Sequence, residues 1–190
     1  MEVLIDGYNL IMKIGRLAER VRAGELQYAR EVLLHLLARA RRPELRGATV
    51  VFDARRLSLA ALPGPEGLSL RRERRGALGI IFSPPGSDAD GVIKEYMEER
   101  ALVGKGRQVR VVTSDRQLAA YVRSLGARIE TSEDCARALA GRERPRHGRP
   151  TRATAAEPAE PEKELAQPAD DEIQGWLRYF GLEGDEPIEL

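Results

Sequence analysis

The sequence predicts an α/β protein built on a parallel β-sheet, and two features of its pattern carry this prediction. Short apolar runs typical of buried strands recur along the first two thirds of the 190-residue chain, and segments with helical periodicity separate them. Strands that alternate with helices form parallel sheets with right-handed crossovers. The expected core is aliphatic, because aromatic residues make up only 5% of the chain.

Five runs are predicted to be strands, and each is followed by polar or turn-forming residues. The runs are Glu2–Ile5, Ala48–Phe52, Leu78–Phe82, Val109–Thr113 and Ala127–Glu130. Four helices are predicted from apolar residues at helical spacing. They cover residues 24–42, 88–103, 116–125 and 132–141, and Pro43 and Gly126 follow two of them.

Residues 55–76 interrupt this alternation and are predicted to form a long basic loop. The stretch contains two prolines and six arginines, Arg55, Arg56, Arg71, Arg72, Arg74 and Arg75. A loop of this length is more often functional than structural. We interpret the arginines as a phosphate-binding surface, and the alternative is that they are simply solvated.

The last 40 residues differ from the rest in charge and composition. Residues 151–190 hold 3 Lys/Arg and 11 Asp/Glu, whereas residues 1–150 hold 28 and 19, so the body is basic and the tail acidic. A basic body indicates a polyanionic partner. We predict a domain at 1–141, a disordered linker at 142–169 and an amphipathic helix with its tail at 170–190.

The predicted C-terminal helix carries one apolar stripe. Ile173, Trp176, Leu177 and Phe180 fall at i, i+3, i+4 and i+7, and Trp176 is the only tryptophan. So short a stripe must dock on another surface. The favoured surface is the protein's own first domain or that of a second subunit, and the alternative is an external partner.

Several classes of protein are excluded. A single cysteine, Cys135, rules out an intramolecular disulfide and is expected to be a buried apolar residue. The sequence has neither a glycine-rich phosphate loop nor a dinucleotide-binding motif after the first strand. It shows no signal peptide and no membrane-spanning run, so we expect a cytoplasmic protein.

Four aspartates stand where predicted strands end: Asp6, Asp88, Asp90 and Asp115. The carboxyl ends of parallel strands meet at one edge of a sheet, so these carboxylates are expected to converge there. Converging carboxylates repel one another unless a cation lies between them, and oxygen ligands favour Mg²⁺ or Mn²⁺. The pattern predicts a metal site that handles phosphate esters. Alternatively, Asp6 belongs to a turn, Ser87 caps a helix with Asp90 in its first turn, and Asp115 caps the next helix.

Five other residues are predicted to serve the same edge. The amide of Asn9 would orient a metal-bound water or a phosphate oxygen, and Tyr8 would stack on a base. Thr113 and Ser114 offer hydroxyls beside Asp115. Asp53 ends the second strand and is either a further ligand or the partner of Arg55 or Arg56. Tyr8 also stands where an aspartyl-phosphate phosphatase would carry its second Asp, which argues against that mechanism.

Four segments resemble the motifs of one family, in the family's order. They are Ile5-Asp6-Gly7-Tyr8-Asn9-Leu10-Ile11, Val51-Phe52-Asp53, Ala89-Asp90 with Ile93, and Val112-Thr113-Ser114-Asp115-Arg116. These motifs resemble the NYN branch of the PIN-like nucleases, and most closely its YacP group of ribosome-associated endoribonucleases. The resemblance covers about residues 1–140.

The resemblance implies a three-layer sandwich with strand order 3-2-1-4-5. It also implies Mg²⁺- or Mn²⁺-dependent cleavage of single-stranded RNA, with the ribosome as a further partner. Asp6, Asp90 and Asp115 match the family's metal-binding acidic positions, and Asn9 matches its asparagine. At position 88 relatives are expected to carry other residues. The hypothesis is therefore an endoribonuclease; the alternatives are a non-catalytic RNA- or ribosome-binding module and a nuclease acting on DNA.

Overall fold

A computed structural model describes residues 1–53, 71–84, 86–140 and 169–179, and six strands within them form one sheet. The strands are β1 Glu2–Asp6, β2 Thr49–Phe52, β3 Arg71–Arg75, β4 Leu78–Phe82, β5 Val109–Val112 and β6 Arg128–Glu130. Their order is β3-β4-β2-β1-β5-β6, and every neighbouring pair is parallel except β3 with β4. The five predicted strands therefore occur in the predicted order, with β3 added at one edge.

Helices cover both faces of the sheet, as the predicted three-layer architecture requires. They are α1 Gly7–Lys13, α2 Gly15–Arg22, α3 Leu26–Ala38, α4 Pro43–Arg46, α5 Ala89–Leu102, α6 Arg116–Ser124, α7 Ser132–Leu139 and α8 Asp170–Tyr179. One core places Val3, Ile5 and Val50 against α1 and α3. The other places Leu4 and Val51 against α5 and α6. The alternation along β1 and β2 thus buries both faces of the sheet.

The prediction of a loop across residues 55–76 is wrong for Arg71–Arg75, which form strand β3. Arginines give no apolar alternation, so the strand is defined by its ladder to β4, which runs from Arg71 beside Phe82 to Arg75 beside Leu78. Gly76 makes the connecting turn with a φ of +54°, a conformation that favours glycine. Arg55 and Arg56 lie outside the described residues.

The C-terminal helix packs on the body of the protein. Ile173, Trp176 and Leu177 of α8 join the core that contains α3, and Trp176 Nε1 donates a hydrogen bond to the Tyr28 hydroxyl at 2.7 Å. The structure therefore places α8 on the protein's own domain, one of the surfaces that the sequence favoured. Phe180 lies outside the described residues, and so does the predicted linker at 142–169 apart from Ala169.

Two further expectations are tested by the described part of the chain. Cys135 is fully buried, and burial raises the pKa of its thiol to about 12, as expected of a residue that serves as apolar filling. None of the helices found there is both long enough and apolar enough to span a membrane.

Candidate active site

Asp6 is the last residue of β1 and at the same time the N-cap of α1. Its Oδ1 accepts a hydrogen bond from the Asn9 backbone N–H at 3.1 Å, and its Oδ2 accepts one from the Thr113 hydroxyl at 3.3 Å. The helix begins so close to β2 that a Cβ on Gly7 would lie 2.3 Å from Cε1 of Phe52. The sequence Asp-Gly therefore fixes a buried carboxylate at the carboxyl edge of the sheet.

Asp88 and Asp115 cap helices in the same manner. Asp88 accepts from the Gly91 N–H at 2.8 Å at the start of α5, and Asp115 accepts from the Leu118 N–H at 2.8 Å at the start of α6. The capping alternative is correct for Asp115, whereas the prediction that Ser87 caps α5 is wrong, because Asp88 does so. The N-capping bonds are made by Oδ1 in all three aspartates, so capping is compatible with a second role for the other oxygen.

The carboxylates of this edge oppose one another's ionisation. Burial raises the pKa of Asp6 to about 7, and the charges of Asp90 and Asp115 add to the effect. Burial also raises the pKa of Asp90, as do the charges of Asp115, Asp88 and Asp53, while Lys94 acts in the opposite direction. The aspartates singled out by the sequence therefore lie close enough to form one electrostatic unit.

The carboxylate oxygens of these aspartates are the kind of ligand that a hard cation such as Mg²⁺ prefers. Within the described ranges, no three His, Cys, Asp or Glu side chains are arranged as a ready-made metal cage. Mg²⁺ does not need one, because it retains several waters and is held through one or two carboxylates. One or two of the carboxylates of Asp6, Asp90 and Asp115 would suffice for that kind of site, and a cation beside them would offset both the burial and the like charge that raise the pKa of Asp6.

Three polar residues join β1 to the loop after β5. The Thr113 hydroxyl accepts from the Asp115 N–H at 3.1 Å while it donates to Asp6. The Ser114 N–H donates to Asn9 Oδ1 at 3.2 Å. The structure therefore brings Asn9, Thr113 and Ser114 together with Asp6 and Asp115.

Asp53 follows β2 at the same edge. The hydroxyl of buried Ser83 lies 3.5 Å from its Oδ1 and 3.3 Å from the Ser87 carbonyl oxygen. The charge of Asp53 reaches Asp90, whose pKa it raises. Pairing with Arg55 or Arg56 involves residues outside the described ranges.

Tyr8 belongs to an aromatic cluster beside the aspartates. Its ring meets Phe52 edge to face at 5.4 Å, and Phe52 stacks on Phe82 at 5.8 Å. The Tyr8 hydroxyl accepts from Arg30 Nη1 at 3.0 Å, and Arg30 is buried. The predicted base-stacking residue is thus held by a protein contact on one side of its ring.

The arginines of β3 fall into two groups. Arg71 pairs with Glu73 at 2.5 Å, and Arg75 pairs with buried Glu31 of α3. Because side chains alternate along a strand, Arg72 and Arg74 project from the other face, where both are exposed. The sequence grouped all four together, but Arg72 and Arg74 are the ones best placed to meet a polyanion.

Reasoning from the sequence did not single out three charged residues of this region, which are Arg30, Glu133 and Lys13. Arg30 interrupts an apolar helix and supports Tyr8. Lys13 Nζ lies 2.9 Å from Glu133 Oε1, and Glu133 accepts from the Ser114 hydroxyl. Arg30 could have been found from the sequence, because it is a charged residue within the apolar pattern of α3. The other two depend on a contact between helices 120 residues apart in the chain.

The chain matches one family over most of its length. A family profile described as the YacP-like NYN domain matches residues 3–178. This match includes all but the last residue of α8, whereas the sequence resemblance covered about residues 1–140. No curated protein sequence gives a significant match.

Two solved structures share the fold. Rae1 (YacP) from Bacillus subtilis has 26% sequence identity and a TM-score of 0.56, and the match covers 74% of each chain. A single-substitution variant of that protein has 23% identity and a TM-score of 0.54, with 74% of this chain and 76% of that chain covered.

Proposed function

Because the chain belongs to the YacP-like NYN domain family, we propose that it is a metal-dependent endoribonuclease that cleaves single-stranded RNA. The family indicates a nuclease-like, RNA-related function. The observation that supports a hydrolytic role is the electrostatic unit of Asp6, Asp90 and Asp115, in which burial and like charge raise the pKa of Asp6 to about 7. A module that only binds RNA would gain nothing from mutually repelling carboxylates at the carboxyl edge of its sheet.

The roles of the residues follow from their positions. Asp6, Asp90 and Asp115 would hold Mg²⁺ or Mn²⁺, and when bound the ion supplies an activated water and a Lewis acid for the phosphodiester. Asp88 and Asp53 add negative charge that favours the cation. Thr113 positions Asp6 and Asp115 through its two hydrogen bonds. Tyr8, braced by Arg30, offers part of its ring to a base.

A cleavage assay tests this function directly. Labelled single-stranded RNA and DNA of one sequence are incubated with the full chain in Mn²⁺, Mg²⁺ or EDTA. We expect cleavage of RNA in either metal and none in EDTA. Binding without cleavage in both metals would favour the non-catalytic RNA-binding alternative, and equal cleavage of DNA would contradict the choice of RNA.

The ribosome is the proposed partner on the basis of the resemblance, and the cytoplasm is the proposed location because the sequence shows no signal-peptide pattern. Co-sedimentation of the full chain with ribosomes on sucrose gradients tests the partnership. A protein that stays at the top of the gradient at low salt would contradict it.

The exposed arginines of β3 are expected to contribute to RNA affinity. Reversing both charges, by Arg72→Glu with Arg74→Glu, should weaken binding and reduce the log–log salt slope by about 0.7 for each phosphate that the protein no longer neutralises. Fluorescence anisotropy of labelled RNA across a salt series measures both. The matched control, Arg107→Glu with Arg123→Glu, changes the net charge equally at exposed positions far from the carboxyl edge. Equally weakened binding in the two double variants would mean that β3 makes no specific contact.

A further inference from the structure

The side-chain amide of Asn9 is fixed in one orientation. A backbone N–H can only donate, so the Asn9 atom that faces the Ser114 N–H at 3.2 Å is the oxygen Oδ1. The NH₂ group is therefore on the branch that faces away from Ser114. Asn9 is partly exposed, and among the described residues none accepts a hydrogen bond from this NH₂ group. The side-chain oxygen of Asn9 therefore accepts a hydrogen bond within the protein, and its NH₂ group can donate to a ligand.

Ser114 is held in turn by α7. Its hydroxyl accepts from the Ser132 N–H at 3.0 Å and donates to Glu133 Oε2. The other oxygen of Glu133 lies 2.9 Å from Lys13 Nζ. Lys13 and Asn9 are four residues apart on α1 and so lie on the same side of that helix. The contacts form a closed ring from α1 through Glu133 and Ser114 back to Asn9.

The acceptor in this ring of contacts is the charged side chain of Glu133. Burial tends to raise the pKa of Glu133, but hydrogen bonds from Ser114 and Lys13 outweigh it, and the pKa is lowered. Glu133 is therefore ionised at neutral pH, and the Ser114 hydroxyl proton has a fixed direction. A fixed Ser114 gives a fixed backbone N–H, and hence a fixed Asn9.

We propose that Glu133 is a positioning residue that, through Ser114, makes Asn9 a hydrogen-bond donor to a phosphate oxygen of the substrate rather than an oxygen ligand of the cation. A cation binds oxygen, and Asn9 Oδ1 already accepts from the Ser114 N–H, whereas the NH₂ group can only donate. Asn9 contacts Asp6 through its backbone N–H and Ser114 through Oδ1, and its neutral NH₂ group would give a phosphate one favourable contact at an edge that otherwise repels it. This assignment rests on the proposed function, since it concerns the same substrate.

Asn9→Asp separates the two roles of Asn9. The aspartate keeps an oxygen for the Ser114 N–H but replaces the NH₂ group with a charged oxygen. Donation to phosphate predicts that kcat/KM for RNA falls by about 100-fold, while affinity for Mn²⁺ alone, followed by electron paramagnetic resonance, stays the same or rises. An Asn9→Asp protein that binds Mn²⁺ more tightly and retains cleavage would overturn the proposal.

A double-mutant cycle tests the action of Glu133 through Asn9. The readout is affinity for labelled RNA in EDTA, so that bound metal does not contribute to the comparison. Glu133→Ala and Asn9→Ala should each weaken binding by about fivefold, the size expected for one hydrogen bond, and the double variant should be no weaker than Asn9→Ala. Glu133→Gln should restore binding, because its carbonyl oxygen can accept from Ser114. Glu98→Ala, at an exposed glutamate that accepts from Tyr121, is the control.

The results that would contradict the role of Glu133 differ from those that would contradict the proposed nuclease function. Additive effects on binding, or a Glu133→Ala protein that melts at lower temperature but binds RNA normally, would assign Glu133 a purely structural role. Wild-type protein that binds RNA without cleaving it would refute the nuclease while the cycle still tests the orientation of Asn9. Wild-type protein that does not bind RNA would overturn both.

Discussion

Asp6→Asn is expected to abolish RNA cleavage and, in the metal-free protein, to raise stability at pH 8. The pKa of Asp6 rises from 3.8 to about 7 on folding, chiefly through burial and then through Asp90 and Asp115. The folded state therefore binds a proton more tightly than the unfolded state, and stability is lost as pH rises from about 4 to 7. Asparagine remains neutral and is as good an N-cap as aspartate.

The stability gain should depend on pH and on the metal. A rise of the Asp6 pKa from 3.8 to about 7 corresponds to at most about 4 kcal/mol at pH 8, and to less than half of this at pH 5. Urea unfolding in EDTA at both pH values measures the difference. Added Mn²⁺ should stabilise the wild type more than Asp6→Asn, because the cation binds only the folded carboxylate site. Asp134→Asn, at a solvent-exposed aspartate on α7, is the control and should show no such pattern.

The same substitution at Asp90 and at Asp115 should also abolish cleavage. A variant that keeps near wild-type turnover in Mn²⁺ would remove its residue from the site. An Asp6→Asn protein that is less stable than the wild type at pH 8 would show that the buried carboxylate contributes more through its hydrogen bonds than it costs through burial and repulsion.

The strands could be predicted because buried parallel strands are apolar on both faces. Ile5, Val51 and Val112 lie in such runs, and the following aspartates then had to meet at the carboxyl edge. Strand β3 was not predictable in this way. Its residues are charged, and it is held by its ladder to β4 and by the pair of Arg75 with Glu31, 44 residues away.

In the candidate site, too, some features follow from local sequence and others depend on contacts between residues far apart in the chain. Asp6 ends β1 and Asp115 follows β5 closely, while Asp88 and Asp90 come a few residues after β4, so a local pattern locates them. The orientation of Asn9 depends on Ser114, 105 residues later, and that of Ser114 depends on Glu133. Contacts of this kind arise only when α1, α7 and the loop after β5 are brought together, and no local periodicity encodes them.

Trp176→Ala is expected to be among the most destabilising single substitutions in the protein. Trp176 is only 9% exposed, its Nε1 donates to the Tyr28 hydroxyl, and the Arg16 guanidinium lies 5.9 Å from its ring centroid. Truncating a buried tryptophan costs about 3–5 kcal/mol in protein cores. The cost appears as a lower free energy of unfolding if α8 unfolds with the body, and as an earlier separate transition if it undocks first.

Fluorescence and circular dichroism distinguish these two results in the wild type. Trp176 is the only tryptophan, so a blue-shifted emission in the native protein reports a docked α8. Coincident urea transitions by emission and by far-ultraviolet circular dichroism indicate one cooperative unit. Tyr28→Phe removes the acceptor of the indole N–H and should cost about 1–3 kcal/mol, whereas Leu102→Ala, at a residue 87% exposed, should cost almost nothing. A water-exposed emission together with an unchanged unfolding free energy in Trp176→Ala would refute docking on α3 and favour an external partner for α8.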